Sequence, residues 1–222
     1  MKLIYKISLK SDNSILVIIP ARAGSKRLIG KNKVLLNGIP LFMHSVNAVM
    51  GIGKDIRLII STDDREIQDY CNKSGIAFQK RSEILALDYS AKQDVIVDVC
   101  NELWEEEFYI PKTVVSLQAN SPEVDSNLLS KCLDKFNNLP AVNYCKELIC
   151  INENGKQNGS IRIMTYKTVF QKTLSTYVGS FTKELTDINY SRVSCKKPLK
   201  ENVDKEQKPE VKIEFDPDMN LD

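Results

Sequence analysis

From Ile15 to Phe136 the chain alternates apolar runs of strand length with amphipathic stretches of helix length. "ILVIIP", Ile15 to Pro20, reads as a fully buried strand, and "PLFMHSVNAVM" from Pro40 reads as a helix whose proline suits the first turn. "IRLIIST" is a second buried strand. "DDREIQDYCNKSG" is a helix with acids at its start and glycine just past its end, and "IAFQ" is a short strand. "SAKQDVIVDVCNELW" is a helix for which Ser90 is the expected cap, and "TVVSLQ" is the next strand. In "EVDSNLLSKCLDKF", Leu128, Leu129, Cys132, Leu133 and Phe136 recur at helical spacing. The order βαβαβαβα predicts an α/β fold, a mostly parallel sheet with helices on both faces. Ligands on such sheets bind beyond the carboxyl ends of the strands.

After "NYCKELICINENGKQNGSIRIMTY" the pattern changes to strands and turns, with one short helix near "YKTVFQK". From Cys195 to Asp222 about half the residues are charged and no apolar periodicity appears, which predicts an exposed tail. The expected division is therefore a single domain over 1–194 and a charged tail over 195–222. The 222 residues suffice for one large α/β domain, and a net charge of +2 gives no general affinity for nucleic acid. No apolar run reaches the roughly 20 residues of a membrane-spanning helix. The opening "MKLIYKISLKSDNS" lacks both the long apolar centre and the small-residue cleavage site of a secretory signal. A cytoplasmic protein with neither a membrane nor a nucleic-acid partner is expected. Cys71, Cys100, Cys132, Cys145, Cys150 and Cys195 form no C-x-x-C pair, so core packing is expected of most of them rather than zinc or disulfides.

Against this near-neutral balance one loop stands out. "LVIIPARAGSKRLIGKN" places Arg22, Lys26, Arg27 and Lys31 just beyond a buried strand. Gly24 lets backbone N–H groups approach a ligand closely, and the neighbouring cations suit polyphosphate oxygens, so the loop is a candidate anion cradle. It carries neither the glycine spacing of the dinucleotide fingerprint nor the Gly-Lys-Ser/Thr order of a P-loop. On the residues alone, a solvated cationic loop is the alternative.

Ile19 to Arg27 and Lys31-Asn32 resemble the opening I-P-A-R-x-G-S-K-R/G…K-N of the cytidylyltransferases that activate acidic sugars, the acylneuraminate and Kdo cytidylyltransferases, and "LLNGIPLFMHSV" continues the resemblance. The resemblance implies a Rossmann-like nucleotidyltransferase fold. It also implies a nucleotide loop made by Ala21, Arg22, Gly24, Ser25, Lys26, Lys31 and Asn32. Arg22 and Lys31 would hold the phosphates of CTP and carry catalysis, and Asn32 would lie near the ribose. "IISTDD" is similar to the family's second-strand motif. "KRSEILALDYSAKQDVI" resembles K-R-P-x-x-L-A-x-D-x-S-x-x-x-D-V-I, with Arg81 at an arginine close to the cytosine; a salt bridge to Glu83 or Asp88 is the alternative for Arg81.

"SLQANSP" resembles the L-Q-P-T-S-P of sialate-activating members more than the Q-G-D-E-P of Kdo-activating ones, and Asn120 stands where the latter carry a metal-binding aspartate. The resemblance implies a nonulosonate substrate faced by Gln118, with Asn120 and, from the P-N-G-A-I-Y-x-F-like "QNGSIRIMTY", Asn158 on the same side. "TDIN" is similar to the family's D-I-D or D-I-H, making Asp187 the expected Mg²⁺ ligand; Glu214 and Asp216, or the terminal Asp222, are the alternative alignment.

The reaction so implied joins CTP to a 3-deoxy keto-sugar acid, such as a sialic, legionaminic or pseudaminic acid, giving a CMP-sugar and pyrophosphate. A Kdo-type or other sugar nucleotidyltransferase is the alternative within enzymes, and a nucleotide-binding homologue with weakened catalysis stays open because Asn120 and Asn189 depart from the family pattern. The interval from Pro122 to Gln157 is shorter than in sialate-activating members, which use it for a dimer-forming extension. A homodimer is accordingly an open expectation with a reduced contact. His44, the only histidine, is expected to pack on a helix face.

Overall fold

The structure, a computed structural model, describes residues 14–25, 28–53, 55–141, 146–151 and 157–170, with the side chains of Ile151, Gln157 and Asn158 outside the description. The described chain opens with β1 (Ile15–Pro20), a loop closed by a 3-10 turn at Lys31–Lys33, a small hairpin of β2 (Leu35–Leu36) and β3 (Ile39–Pro40), and α1 (Leu41–Met50). Then come β4 (Ile56–Thr62), α2 (Arg65–Ser74), β5 (Phe78–Lys80), α3 (Glu83–Ala86), α4 (Lys92–Glu107), β6 (Thr113–Leu117) and α5 (Ser126–Asn138). The described chain closes with β7 (Glu147–Ile151), β8 (Gln157–Thr165) and α6 (Tyr166–Val169).

Among the described residues six strands form one sheet in the order β5-β4-β1-β6-β8-β7, with β1 pairing in parallel with both β4 and β6, and β4 with β5. Strand β1 is central because its residues suit burial on both faces. Leu16, Val17, Ile18 and Ile19 are all fully buried, and each such side chain contributes about 1.5–3 kcal/mol relative to exposure. Their alternation divides the core. Val17 and Ile19 pack with α1, α2 and α5 through Phe42, Ile67 and Leu129, whereas Leu16 and Ile18 pack with α4 and α6 through Ile96, Cys100 and Val169. Helices therefore cover both faces, as the alternation predicts. Cys71, Cys100, Cys132 and Cys150 are all buried in these layers.

Three details differ from the sequence reading. Strand β8 runs antiparallel to both β6 and β7, because the short 152–156 connection from β7 cannot make a parallel crossover. The strand expected at "IAFQ" begins only at Phe78. Gly75 ends α2 in the left-handed conformation (φ 65°) and the Ile76 N–H bonds back to the Cys71 carbonyl, so Ile76 belongs to the helix cap. Helix α4 is capped at Ala91, whose N–H donates to Asp94 Oδ2 at 3.1 Å, while the Ser90 hydroxyl donates to the Ile84 carbonyl at 2.6 Å. In the hairpin, Asn37 (φ 53°) and Gly38 (φ 78°) make the two-residue turn that demands positive φ at both positions. His44 ties α1 to it, its Nε2 lying 3.1 Å from the Leu36 carbonyl oxygen.

Candidate active site

The carboxyl ends of β1, β5 and β6 open on one cavity of about 280 Å³, and each strand delivers a polar side chain to it in the first residues after it ends. Arg22 follows β1, Arg81 follows β5 and Gln118 follows β6. The chain arrives with its backbone already committed. Ala21 N–H donates to the Ser61 carbonyl (2.9 Å), Thr62 Oγ1 donates to the Ala21 carbonyl (2.6 Å), and Ala23 N–H donates to Asp63 Oδ1 (2.9 Å). Asn32, itself buried, donates its Nδ2 to the Arg22 carbonyl at 3.0 Å and draws the far end of the loop back onto its start. Lys33 anchors the 3-10 turn to the start of α2 through Asp64 (3.1 Å) and Glu66 (2.8 Å).

With its backbone tied down, the loop turns side chains and open space toward the cavity. Arg22, Gly24, Ser25, Lys31 and Asn32 line it. A Cβ placed on Gly24 would meet nothing within 4 Å, so this glycine answers no packing need of the described residues. The Arg22 guanidinium pairs with Asp88 at 2.7 Å, both side chains about one-third exposed, and exposed pairs of this kind contribute about 0–1 kcal/mol. Neither Glu83 nor Asp88 is the partner of Arg81. Asp88 instead holds Arg22, and Arg81 donates through Nη2 to the Ser61 carbonyl (2.7 Å) and through Nε to Ser61 Oγ (3.3 Å). Arg81 is 5% exposed, and burial pulls its guanidinium down to about 10, with Asp63 and Asp98 opposing the shift and Arg22 adding to it. It stays charged at neutral pH. A buried cation without full compensation favours an acceptor in the cavity.

On the β6 side, Gln118 donates its Nε2 to Asn120 Oδ1 at 2.8 Å, while its Oε1 is buried and finds no donor among the described residues. Both residues line the cavity, and Asn120 is 5% exposed. Ser45 of α1 donates its hydroxyl to the Gln118 carbonyl (3.0 Å), and Gln118 N–H donates to the Ser160 carbonyl (2.9 Å), so the backbone of this residue is held from two sides. Lys92, the first residue of α4, closes the rim and donates its Nζ to the Gly159 carbonyl at 3.0 Å. A floor of Leu85 and Val95 completes a pocket with cations on one wall, amides on another and an apolar base.

The family model described as Cytidylyltransferase matches residues 16–213, nearly the whole chain. The chain belongs to this family. Among individual relatives, a CMP-N,N'-diacetyllegionaminic acid synthase of Legionella pneumophila is 38% identical over 109 residues, which make up 49% of this chain and 47% of the relative. A pseudaminic acid cytidylyltransferase of Campylobacter jejuni is 32% identical over 122 residues, 54% of this chain and 52% of the relative. The chain spans about half the length of these curated relatives. The solved structure of a CMP:2-keto-3-deoxy-manno-octonic acid synthetase complexed with CTP shares the fold, with a TM-score of 0.55 at 16% identity over 70% of this chain and 76% of that one.

In this member of the family the cavity gathers Arg22, Gly24, Ser25, Lys31, Asn32, Arg81, Gln118 and Asn120 from three separate parts of the sequence. Ala21 lies fully buried beneath the loop. Asn158 stands in β8 with its side chain outside the described residues, and Lys26, Asp187, Glu214, Asp216 and Asp222 also lie outside them. Sequence reasoning missed Pro20, Leu85, Leu87, Asp88, Ser90, Lys92 and Val95 as lining residues. The signal was at hand, because all but Pro20 fall in the segment that identifies Arg81.

Proposed function

We propose that the protein transfers the cytidylyl group of CTP to a 3-deoxy keto-sugar acid of the nonulosonate class, releasing pyrophosphate and a CMP-sugar. The observation that carries this reading is the convergence of Arg22, Lys31, Arg81 and Gln118 on one cavity at the strand ends of a cytidylyltransferase-family chain. The relatives named for legionaminic and pseudaminic acids support the substrate class.

In this reading the anomeric hydroxyl of the sugar acid attacks the α-phosphorus in line. A bond forms from the sugar oxygen to phosphorus as the bond from phosphorus to the β-phosphate oxygen breaks, and the hydroxyl proton leaves to solvent or a neighbouring base. Arg22 and Lys31 take up the charge of the triphosphate and of the departing pyrophosphate, where preorganised cations act most strongly. Arg81 donates to the carbonyl and ring nitrogen of cytosine. The unpartnered Oε1 of Gln118 accepts from a hydroxyl of the sugar acid, with Asn120 fixing the amide from behind and Asn158 on the same side.

Magnesium belongs to the proposal. Among the described residues no three His, Cys, Asp or Glu side chains gather where they could share a metal ion, and the nearby acids are engaged, Asp88 by Arg22 and Asp63 by the Ala23 N–H. By the resemblance of "TDIN" to the family's metal motif, Asp187 with the neutral Asn189 would hold it. A magnesium ion held there supplies Lewis-acid charge to phosphate oxygens. No helix among the described residues is long and apolar enough to cross a membrane. A cytoplasmic enzyme with a charged tail over 195–222, acting on CTP and an acidic keto-sugar without nucleic acid, completes the reading, and a homodimer remains an open part of it.

The deciding experiment is pyrophosphate release with CTP and Mg²⁺ against a panel of nonulosonates and Kdo. Turnover of at least one nonulosonate is expected. Turnover of Kdo alone would overturn the substrate class, and CTP binding without turnover of any sugar would leave a nucleotide-binding homologue.

A further inference from the structure

Beneath Arg81 runs a chain of hydrogen bonds whose far members, Gln79, Asp98 and Glu102, belong neither to the family motifs nor to the cavity lining. It begins on α4, where Asp98 and Glu102 stand one turn apart and face β5. Both carboxyl groups are pushed up from the usual carboxylate range by burial, and the amide of Gln79 opposes that shift. Gln79, 4% exposed, donates its Nε2 to Asp98 Oδ2 at 2.9 Å and to Glu102 Oε2 at 2.5 Å. Its Oε1 accepts the hydroxyl of Ser61 at 2.9 Å, and Ser61 Oγ in turn accepts from Nε of Arg81.

The Gln79 amide turns its NH₂ toward the two carboxyl groups of α4 and its carbonyl toward Ser61. The hydroxyl has one hydrogen, which that carbonyl takes, and the lone pairs left on Ser61 Oγ face Arg81. The guanidinium is thus held by Nε and Nη2 against Ser61, whose backbone also closes the pairing of β4 with β5 at Ser61 and Gln79. Among the described residues no partner takes the Nη1 hydrogens, and Arg81 lines the cavity.

We propose that Gln79 is a positioning residue: acting through Ser61, it sets the angle at which Arg81 enters the cavity, and that angle is what separates a cytosine from a uracil. This rests on the reading that Arg81 faces the base of CTP. Cytosine presents two adjacent acceptors on its pairing edge, the O2 carbonyl and N3, whereas uracil carries a hydrogen on N3. A guanidinium fixed so that two donors meet both positions accepts cytosine and opposes an N–H to uracil's N3–H. One that swings can satisfy O2 alone, which both bases share.

The test uses the full-length protein, with CTP and UTP binding measured by calorimetry and turnover by pyrophosphate release. Gln79→Met keeps the side-chain volume and removes both polar ends. Ser61→Ala leaves the amide on the two acids, removes the hydroxyl that joins Gln79 Oε1 to Arg81 Nε, and keeps the bond from Arg81 Nη2 to the backbone carbonyl. Each is expected to weaken CTP binding and raise its KM roughly 3- to 10-fold, as losing one buried hydrogen bond implies, with kcat nearly unchanged and the preference for CTP over UTP reduced by a similar factor. Gln79→Met also strips two half-buried carboxyls of their donor and is expected to melt earlier. Ser61→Ala is the variant that reports should Gln79→Met fail to fold.

A lower melting temperature with unchanged CTP affinity and selectivity in the folded variants would assign Gln79 to packing alone and overturn the proposal. Arg81→Ala separates the two levels. If it abolishes CTP selectivity while Gln79→Met and Ser61→Ala do not, the relay is wrong and the reading of Arg81 stands. If wild-type protein binds no CTP, both fall.

Discussion

Two arginines reach the same cavity and are held in opposite ways. Arg22 sits on a loop whose backbone is pinned by Asp63 and Asn32, but its guanidinium is about one-third exposed and pairs with Asp88, a carboxylate exposed to a similar degree. Arg81 is 5% exposed and bound to Ser61 at two atoms, and a chain of three further residues behind it fixes the geometry. Burial costs Arg81 part of its basicity, down to about 10, and a proton affinity that is lowered yet still far above neutrality suits a group that must donate without moving. Recognition of a neutral base edge needs fixed angles, whereas charge neutralisation of a flexible polyphosphate needs charge and reach. On the proposed reading, the first comes from a buried strand end and the second from a wet loop.

The largest effect that could break this comparison is loss of the loop cations. Arg22→Ala and Lys31→Ala are each expected to reduce kcat/KM by about 10- to 150-fold, the worth of a charge-assisted contact of about 1.5–3 kcal/mol, while the melting temperature stays near wild type. Pyrophosphate release together with a thermal melt checks both halves. If either variant unfolds, the loop is structural and the contrast with Arg81 disappears; if turnover is normal, the cavity does not hold phosphate there.

Next in size is Gly24→Ala. Because a Cβ there meets nothing within 4 Å, the fold has no reason to resist it, and stability should hold or rise slightly. The methyl group would instead stand in the open space beside the loop. If nucleotide occupies that space, the KM for CTP rises by roughly fivefold, about 1 kcal/mol of crowding. A variant that is both stable and fully active would show that the glycine serves neither packing nor ligand approach. That result would sharpen the comparison by confining phosphate recognition to side chains.

How far the sequence revealed this site follows the same division between local and distant contacts. The loop was legible because its cations, its glycine and the strand that precedes them are contiguous from Leu16 to Asn32. The surroundings of Arg81 were not, since Ser61, Gln79, Asp98 and Glu102 come from β4, β5 and α4 and meet only through the sheet register and the helix that covers it. For the same reason Asp88 was weighed only as a partner for Arg81, seven residues away, when its partner in space is Arg22. The start of α4 was misplaced by one residue because Ser90 is the better capping type. The acid three residues on from Ala91, Asp94, was the signal that decided it. The antiparallel course of β8 had no counterpart in periodicity, which reports burial and not strand direction.

The smallest expected effect bears most directly on what kind of contact Arg22 makes. Its pair with Asp88 is partly exposed, so Asp88→Asn should cost at most about 1 kcal/mol of stability. The consequence for binding depends on which role Asp88 has. As a placeholder, Asp88 competes with the triphosphate for the guanidinium. Replacing its charge by a neutral amide then lowers the KM for CTP by up to about fivefold, the most that 1 kcal/mol of competition allows. The gain should shrink at high salt, where the ion pair is already screened. As a brace, Asp88 holds Arg22 in its working position, and the same variant raises the KM. The sign of the change, measured at low and at high ionic strength with kcat followed alongside, therefore decides the matter. A fall would keep Arg22 as an exchangeable cation. A rise would make the loop a preorganised device like Arg81, and the contrast between the two arginines would reduce to one of burial alone.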